Sequence, residues 1–99
     1  MSVISNPLQF DWDTGNSGKN KRSHEVEDWE CEEVFFDPQK VMLKDRLHSG
    51  QEERFILLGR TRQERLLYLA FTIRNEKVRI ISARDVTKRK EIELYEKAN

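Results

Sequence analysis

The run LLYLAFTI at residues 66–73, with RNEK at 74–77 and VRIISA at 78–83, decides the fold. The first run is the most hydrophobic in the chain, and its length suits a central strand. Arg74-Asn75-Glu76-Lys77 is short and polar enough to close a hairpin onto a second strand, Val78 to Ala83. Upstream, Glu53 to Gly59 holds Phe55-Ile56-Leu57-Leu58, and Val41 to Leu43 is a shorter strand. A polar loop through His48-Ser49-Gly50 separates those two. Four strands in a row read as an antiparallel meander.

Helices flank the strands. Thr87 to Ala98 is a charged helix with Ile92 and Tyr95 at i, i+3 and Leu94 near the edge of that face. Glu25 to Phe36 is a second helix, with Cys31, Val34 and Phe35 on one stripe. Asp37-Pro38 ends it, because proline disfavours the helical conformation in the residue before it. Trp29 and Phe36 lie on nearly the opposite side, and the favoured reading covers that side within the domain, Phe36 turning inward from the frayed end. The alternative is that it meets a partner. Asp13 or Thr14 offers an N-cap for a further helix to about Ser23, which Gly15 and Gly18 each weaken by about 1 kcal/mol relative to alanine. Phe10-Asp11-Trp12 reads as a short strand or an extended anchor. Residues 1–9, broken at Asn6-Pro7, read as weakly ordered, and 10–97 as a single domain. Helices grouped before and after a run of strands predict an α+β fold: two N-terminal helices, an antiparallel β-sheet, a C-terminal helix.

Composition narrows the function. Ninety-nine residues at 36% charged and 36% hydrophobic allow one small core. The longest apolar stretch, eight residues containing a threonine, is too short to span a membrane. Met1 to Phe10 lacks the basic-then-apolar pattern of a secretory leader, so the expected location is the cytoplasm. One cysteine cannot form an internal bridge, and Cys31 with His24 and His48 has no metal-ligand spacing. No metal or cofactor is expected. The zero net charge hides an asymmetry: residues 1–50 hold six Lys/Arg against ten Asp/Glu, and residues 51–99 twelve against eight. The basic second half suits an anionic partner, although a mixed-charge surface would read the same way.

Signatures of common enzymes, such as a glycine-rich phosphate loop, a nucleophile elbow or HExxH, are absent from the sequence. Asp11 and Asp13 have the spacing of a strand leading into a cap, which is favoured over a magnesium site. Strict alternation would aim Arg79 and Arg84 at opposite faces of their strand unless a bulge intervenes. An arginine among apolar strand residues is costly unless paired or functional, and Glu53 or another strand carboxylate is a candidate partner for Arg79. Lys88-Arg89-Lys90 puts three cations where a helix dipole prefers anions, a conflict that a phosphate would relieve. His24 and His48 are the side chains whose unperturbed titration falls near neutrality.

FDWD at 10–13, KN at 19–20, His24-x-Val26, ECEEVFFDP at 30–38, DRLHS at 45–49, EERF at 52–55 with Gly59, FTIRN at 71–75, RIISARD at 79–85 and the final KRKEIELYEK resemble the BrnT toxin family over about residues 9–97. The resemblance implies a RelE-like ribonuclease of a type II toxin–antitoxin system, which cuts RNA and arrests translation. It also implies neutralisation by a BrnA-type antitoxin, joined as a 2:2 complex through the antitoxin dimer, with DNA contacted only through that partner. On this resemblance Arg79 and Arg84 would stabilise the phosphate, and Glu53 and His24 would transfer protons or orient the arginines. Lys19, Lys88 and Arg89 would bind RNA phosphates. The antitoxin would cover the basic face, with Trp29 and Phe36 as a secondary contact. The chain departs from the family pattern at Ser23, where many relatives have lysine before the histidine; Lys21 or Arg22, just before it, would supply the charge. The competing expectation is a non-catalytic module that binds its antitoxin, and DNA through it. Independent sequence-specific DNA binding is disfavoured, since no helix carries a base-reading set.

Overall fold

The computed structural model describes residues 8–47, 50 and 52–98. Helices α1 (Lys19–His24) and α2 (Asp28–Val34) precede strands β1 (Val41–Asp45), β2 (Arg54–Arg60), β3 (Leu66–Arg74) and β4 (Lys77–Asp85), and α3 (Arg89–Lys97) follows. The strands form one sheet in the order β1-β2-β3-β4, each pair antiparallel. This is the α+β arrangement the sequence predicts. Residues 1–7 of the segment expected to be weakly ordered, and His48, lie outside the described residues.

β3 reads as almost continuously apolar because both of its faces are covered. Leu67, Leu69 and Phe71 join Phe55, Leu57, Val78, Ile80 and Ala83 beneath α2, whose Cys31, Val34 and Phe35 close that core. The Phe35 ring stands edge-on to Phe71 and Phe10 at centroid distances of 5.1 and 5.3 Å. Ala70 and the partly buried Tyr68 and Leu66 face the other way, toward Ile56, Leu58 and Tyr95 of α3. Burying each large side chain contributes about 1.5–3 kcal/mol. The β3–β4 hairpin turns on Asn75 and Glu76, with φ of 52° and 65°. Two positive φ values in succession are what a type I′ turn requires, and that turn matches strand twist.

Three local expectations are corrected. The first helix does not begin at Asp13. Residues 14–18 form turns, in which the Asp13 carboxylate accepts the Gly15 N–H (2.8 Å), and Gly18 at φ 71° redirects the chain into α1. The second helix does not begin at Glu25, which takes a left-handed conformation (φ 57°); it starts after Glu27, through a reciprocal capping box with Glu30. On α3 the buried pair is Glu91 and Tyr95 at i, i+4, while Ile92 and Leu94 are exposed. Glu91 is drawn inward by an arginine, which periodicity of apolar residues cannot register.

The outer edge of β4 would expose a row of unpaired backbone groups, a pairing hazard. The N-terminal segment covers it. Gln9 and Asp11 exchange backbone hydrogen bonds with Val78, and Phe10 forms a parallel bridge there. Further along, the Asn16 amide donates to the Ile80 carbonyl (3.2 Å), Lys19 Nζ to the Ile81 carbonyl (2.9 Å), and Asn20 Oδ1 accepts the Ala83 N–H (2.9 Å). At the far end of the strand, Arg65 clamps Asp85 with two bonds (2.7 and 2.9 Å) and reaches Glu30 of α2 (3.0 Å).

Candidate functional site on the β4 face

A single extra residue sets the geometry of β4. Ser82 pairs with Ala70, but the next pair is Ile80 with Phe71, so Ile81 is bulged. Alternation restarts after it. Val78, Ile80 and Ala83 consequently all enter the α2-side core, and Arg79 and Arg84 emerge together on the other face. The expectation that they point oppositely is thus corrected by the bulge that was its stated exception. Lys19 places its ammonium at the carbonyl of the bulged residue itself.

Arg79 lies opposite Thr72, which also faces Arg54. Its guanidinium is held in a fork by Asp13, both contacts at 3.0 Å, with Asp11 at 3.6 Å. The partner is therefore an N-terminal carboxylate and not Glu53. Arg79, with help from the Gly15 N–H, holds the Asp13 carboxyl below its ordinary range. Asp13 thus closes a turn in place of the helix N-cap its spacing suggested, and it is also an arginine ligand, which the sequence reading missed.

Arg84 lies opposite Tyr68, its guanidinium carbon 4.1 Å from the ring centroid, and is bidentate to Glu91 of α3 (2.8 and 3.1 Å). A positive charge at this distance from an aromatic face is held by the ring quadrupole. Burial raises the Tyr68 phenol, keeping it protonated and able to donate near neutrality. Tyr68 was read only as a strand residue; what singles it out is the β3–β4 register, which depends on the bulge.

The remaining candidates separate. His24 ends α1 on the β4 side, near enough to Asp85 to lower that carboxyl, although Arg65 is the larger cause. Glu53 is turned to Lys44 at 3.6 Å, on a β1 residue paired with Phe55 of the α2-side core, so it is not brought to Arg79. Lys88 occupies the N-cap of α3 and Arg89 its first position, both exposed. The acidic residue in that turn, Glu91, faces Arg84, and no ion pair holds Lys88 or Arg89 among the described residues. Ser23 is exposed, and Lys21 is paired with Glu27 at 3.2 Å.

Trp29 and Phe36 are 52% and 69% exposed, which corrects the expectation that the domain covers them. They line a groove of about 590 Å³ with Tyr95, Asp37 and Arg60. No group of three potential metal ligands occurs among the described residues, and no helix there is long and apolar enough to cross a membrane.

No curated protein matches the chain. Residues 12–90, however, match the family described as the ribonuclease toxin BrnT of type II toxin–antitoxin systems, a span running from the Asp13 turn through Arg79 and Arg84 into α3. With most of its length inside that match, the chain belongs to the BrnT family of ribonuclease toxins.

Proposed function

We propose that the chain cleaves RNA without a metal ion, by attack of a 2′-hydroxyl on the adjacent phosphorus. The 2′-O–P bond forms as the P–O5′ bond breaks, leaving a 2′,3′-cyclic phosphate and a 5′-hydroxyl. One proton leaves the attacking hydroxyl and one is delivered to the departing oxygen. The observation that carries the reading is the Ile81 bulge, which gathers Arg79 and Arg84 on one sheet face with the Lys19 ammonium at the bulge itself. Cations fixed in this way neutralise charge growing on a phosphorane, and one well-placed group contributes on the order of 3 kcal/mol.

The arginines meet the substrate already paired. Substrate phosphates exchange with Asp13 on Arg79 and with Glu91 on Arg84, each of which already presents two oxygens to a guanidinium edge as a phosphate would. His24, on the β4 side, is the better placed of the two proton-transfer candidates; Glu53 would have to leave Lys44. Lys19, Lys88 and Arg89 position the strand through phosphates, without reading sequence. Arrest of translation follows from loss of messenger. A BrnA-type antitoxin would neutralise the toxin by covering the basic face, in a 2:2 assembly that contacts DNA through the antitoxin.

The test is cleavage of a 5′-labelled RNA in EDTA by the wild-type chain and by Arg79→Ala, with product ends mapped. Cyclic-phosphate ends from the wild type alone are expected. If neither folded protein cuts, even with translating ribosomes added, the chain is a binding module and the nuclease reading falls.

A further inference from the structure

The groove at the other end of the strands is built for a different ligand. Arg60 on its rim pairs with Leu66, whereas Arg54 pairs with Thr72 opposite Arg79. Six residues at about 3.3 Å each put roughly 20 Å between groove and Arg79. Large apolar side chains exposed side by side, here Trp29 and Phe36, mark contact surfaces. The floor beneath them is preformed. The Tyr95 hydroxyl donates to Asp37 Oδ2 (2.7 Å), the Arg60 N–H donates to the same oxygen (2.8 Å), and the Arg60 guanidinium lies 5.3 Å from the Tyr95 ring centroid. A floor fixed in this way avoids the ordering cost of binding.

The charge of the groove selects the occupant. Glu32, Glu33, Asp37 and Glu64 line it against Arg60 and Arg62. Three of these carboxylates are held by uncharged donors: the Trp12 indole on Glu32 (2.7 Å), the Arg62 backbone N–H on Glu33 (3.1 Å), and the phenol and backbone N–H groups on Asp37. Such bonds fix a carboxylate without cancelling its charge. Burial works against ionisation of Asp37, but its hydrogen bonds outweigh burial and hold it below the usual range. A negative, aromatic-walled groove attracts long cationic side chains, whose stems pack on the rings while their heads reach the carboxylates.

We propose that this groove receives a basic, aliphatic segment of the antitoxin, a second contact opposite in sign to the one at the β4 face. The inference rests on the toxin–antitoxin reading but not on nuclease activity. A partner seated only here leaves Arg79 open, so neutralisation needs both contacts.

The experiment titrates the full chain with a BrnA-type antitoxin, comparing wild type with Trp29→Ala/Phe36→Ala and with Glu33→Gln/Glu64→Gln. Both double variants are expected to bind at least tenfold more weakly, while cleavage by the free proteins is unchanged. A labelled peptide of leucine and lysine is expected to bind the wild type and neither variant, and its leucine–glutamate counterpart to bind none. Undiminished antitoxin affinity in folded variants, or equal binding of the two peptides, overturns the proposal. So does self-association of the chain that Phe36→Ala abolishes, because the occupant would then be a second copy. Weakened antitoxin binding by the variants, with no cleavage by the wild type, sinks the nuclease reading and leaves this one standing.

Discussion

Removing Arg84 perturbs stability and chemistry together, and the two effects can be separated. Arg84→Ala takes the guanidinium from the Tyr68 ring and leaves the Glu91 carboxylate, with 12% side-chain exposure, unpaired. Breaking a fully buried pair costs about 3–5 kcal/mol and an exposed one at most about 1. The Arg84 side chain is 30% exposed, and solvent screening pulls the cost below the buried range. With a cation–π loss of about 0.5–1 kcal/mol, a total near 2 kcal/mol follows. For a domain of this size that lowers Tm by about 10 °C. Phosphate stabilisation predicts a separate loss of about a hundredfold in cleavage. The double variant Arg84→Ala/Glu91→Leu removes the orphaned carboxylate and packs a leucine beside Tyr68, so its stability returns to within about 1 kcal/mol of wild type. Its cleavage should stay a hundredfold down. Urea unfolding and cleavage of labelled RNA, at a temperature where all three proteins are folded, measure both. If cleavage recovers with stability, Arg84 only clasps α3, and the phosphate role assigned to it is wrong.

A methyl group added at Gly59 would sit 2.6 Å from Val34 Cγ1 and 3.2 Å from the Val34 carbonyl, so Gly59→Ala should cost about 1–3 kcal/mol in urea unfolding, with part of that recovered by adding Val34→Ala. A cost below about 0.5 kcal/mol would mean that α2 yields freely. Burial, with Asp28 and Glu30 nearby, pushes the Cys31 thiol up to about 12, so a disulfide reagent at pH 8 should react only after unfolding; rapid reaction of the native chain contradicts the packing of α2. Asp85, whose carboxyl Arg65 holds below 3.8, contributes stability that is complete above that value and lost as pH falls through its folded pKa. Acid unfolding monitored by circular dichroism should therefore be steeper for wild type than for Asp85→Asn. Burial and the Asp37 carboxylate raise the Tyr95 phenol from 10.0 to about 12, a contribution complete below pH 10 and lost on the way to 12. Tyr95→Phe should flatten alkaline unfolding, and an unchanged profile would refute the coupling.

The strands were legible because β3 is long, apolar and followed by a turn sequence, and its neighbours repeat the signal. Helix starts were not, since Gly18 and Glu25 act through backbone conformation and Glu27 through a reciprocal bond with Glu30. Arg79 stood out in the sequence because an arginine among apolar strand residues demands an explanation, yet its partner Asp13 lies 66 residues away. The pairing of Arg84 with Tyr68 depended on one bulged residue, and alternation alone misdirects everything on the near side of it. Trp29 and Phe36 were visible as a second apolar side of a helix. Their exposure follows from tertiary placement, since α2 spends its other side on the sheet.

The covering of β4 by the N-terminal segment also orders events during synthesis. Its bonds join residues 62 to 69 apart, so the cover is made well before the strand it covers. A nascent chain ending before residue 77 carries the cover without the strand it covers, and the apolar run of β3 then lacks its outer neighbour. Contacts of such long sequence separation form slowly, and an unpaired edge left waiting invites association with other chains. Because Arg79 and Arg84 both lie on β4, neither arginine takes its place on the sheet until that strand has been made and paired with β3.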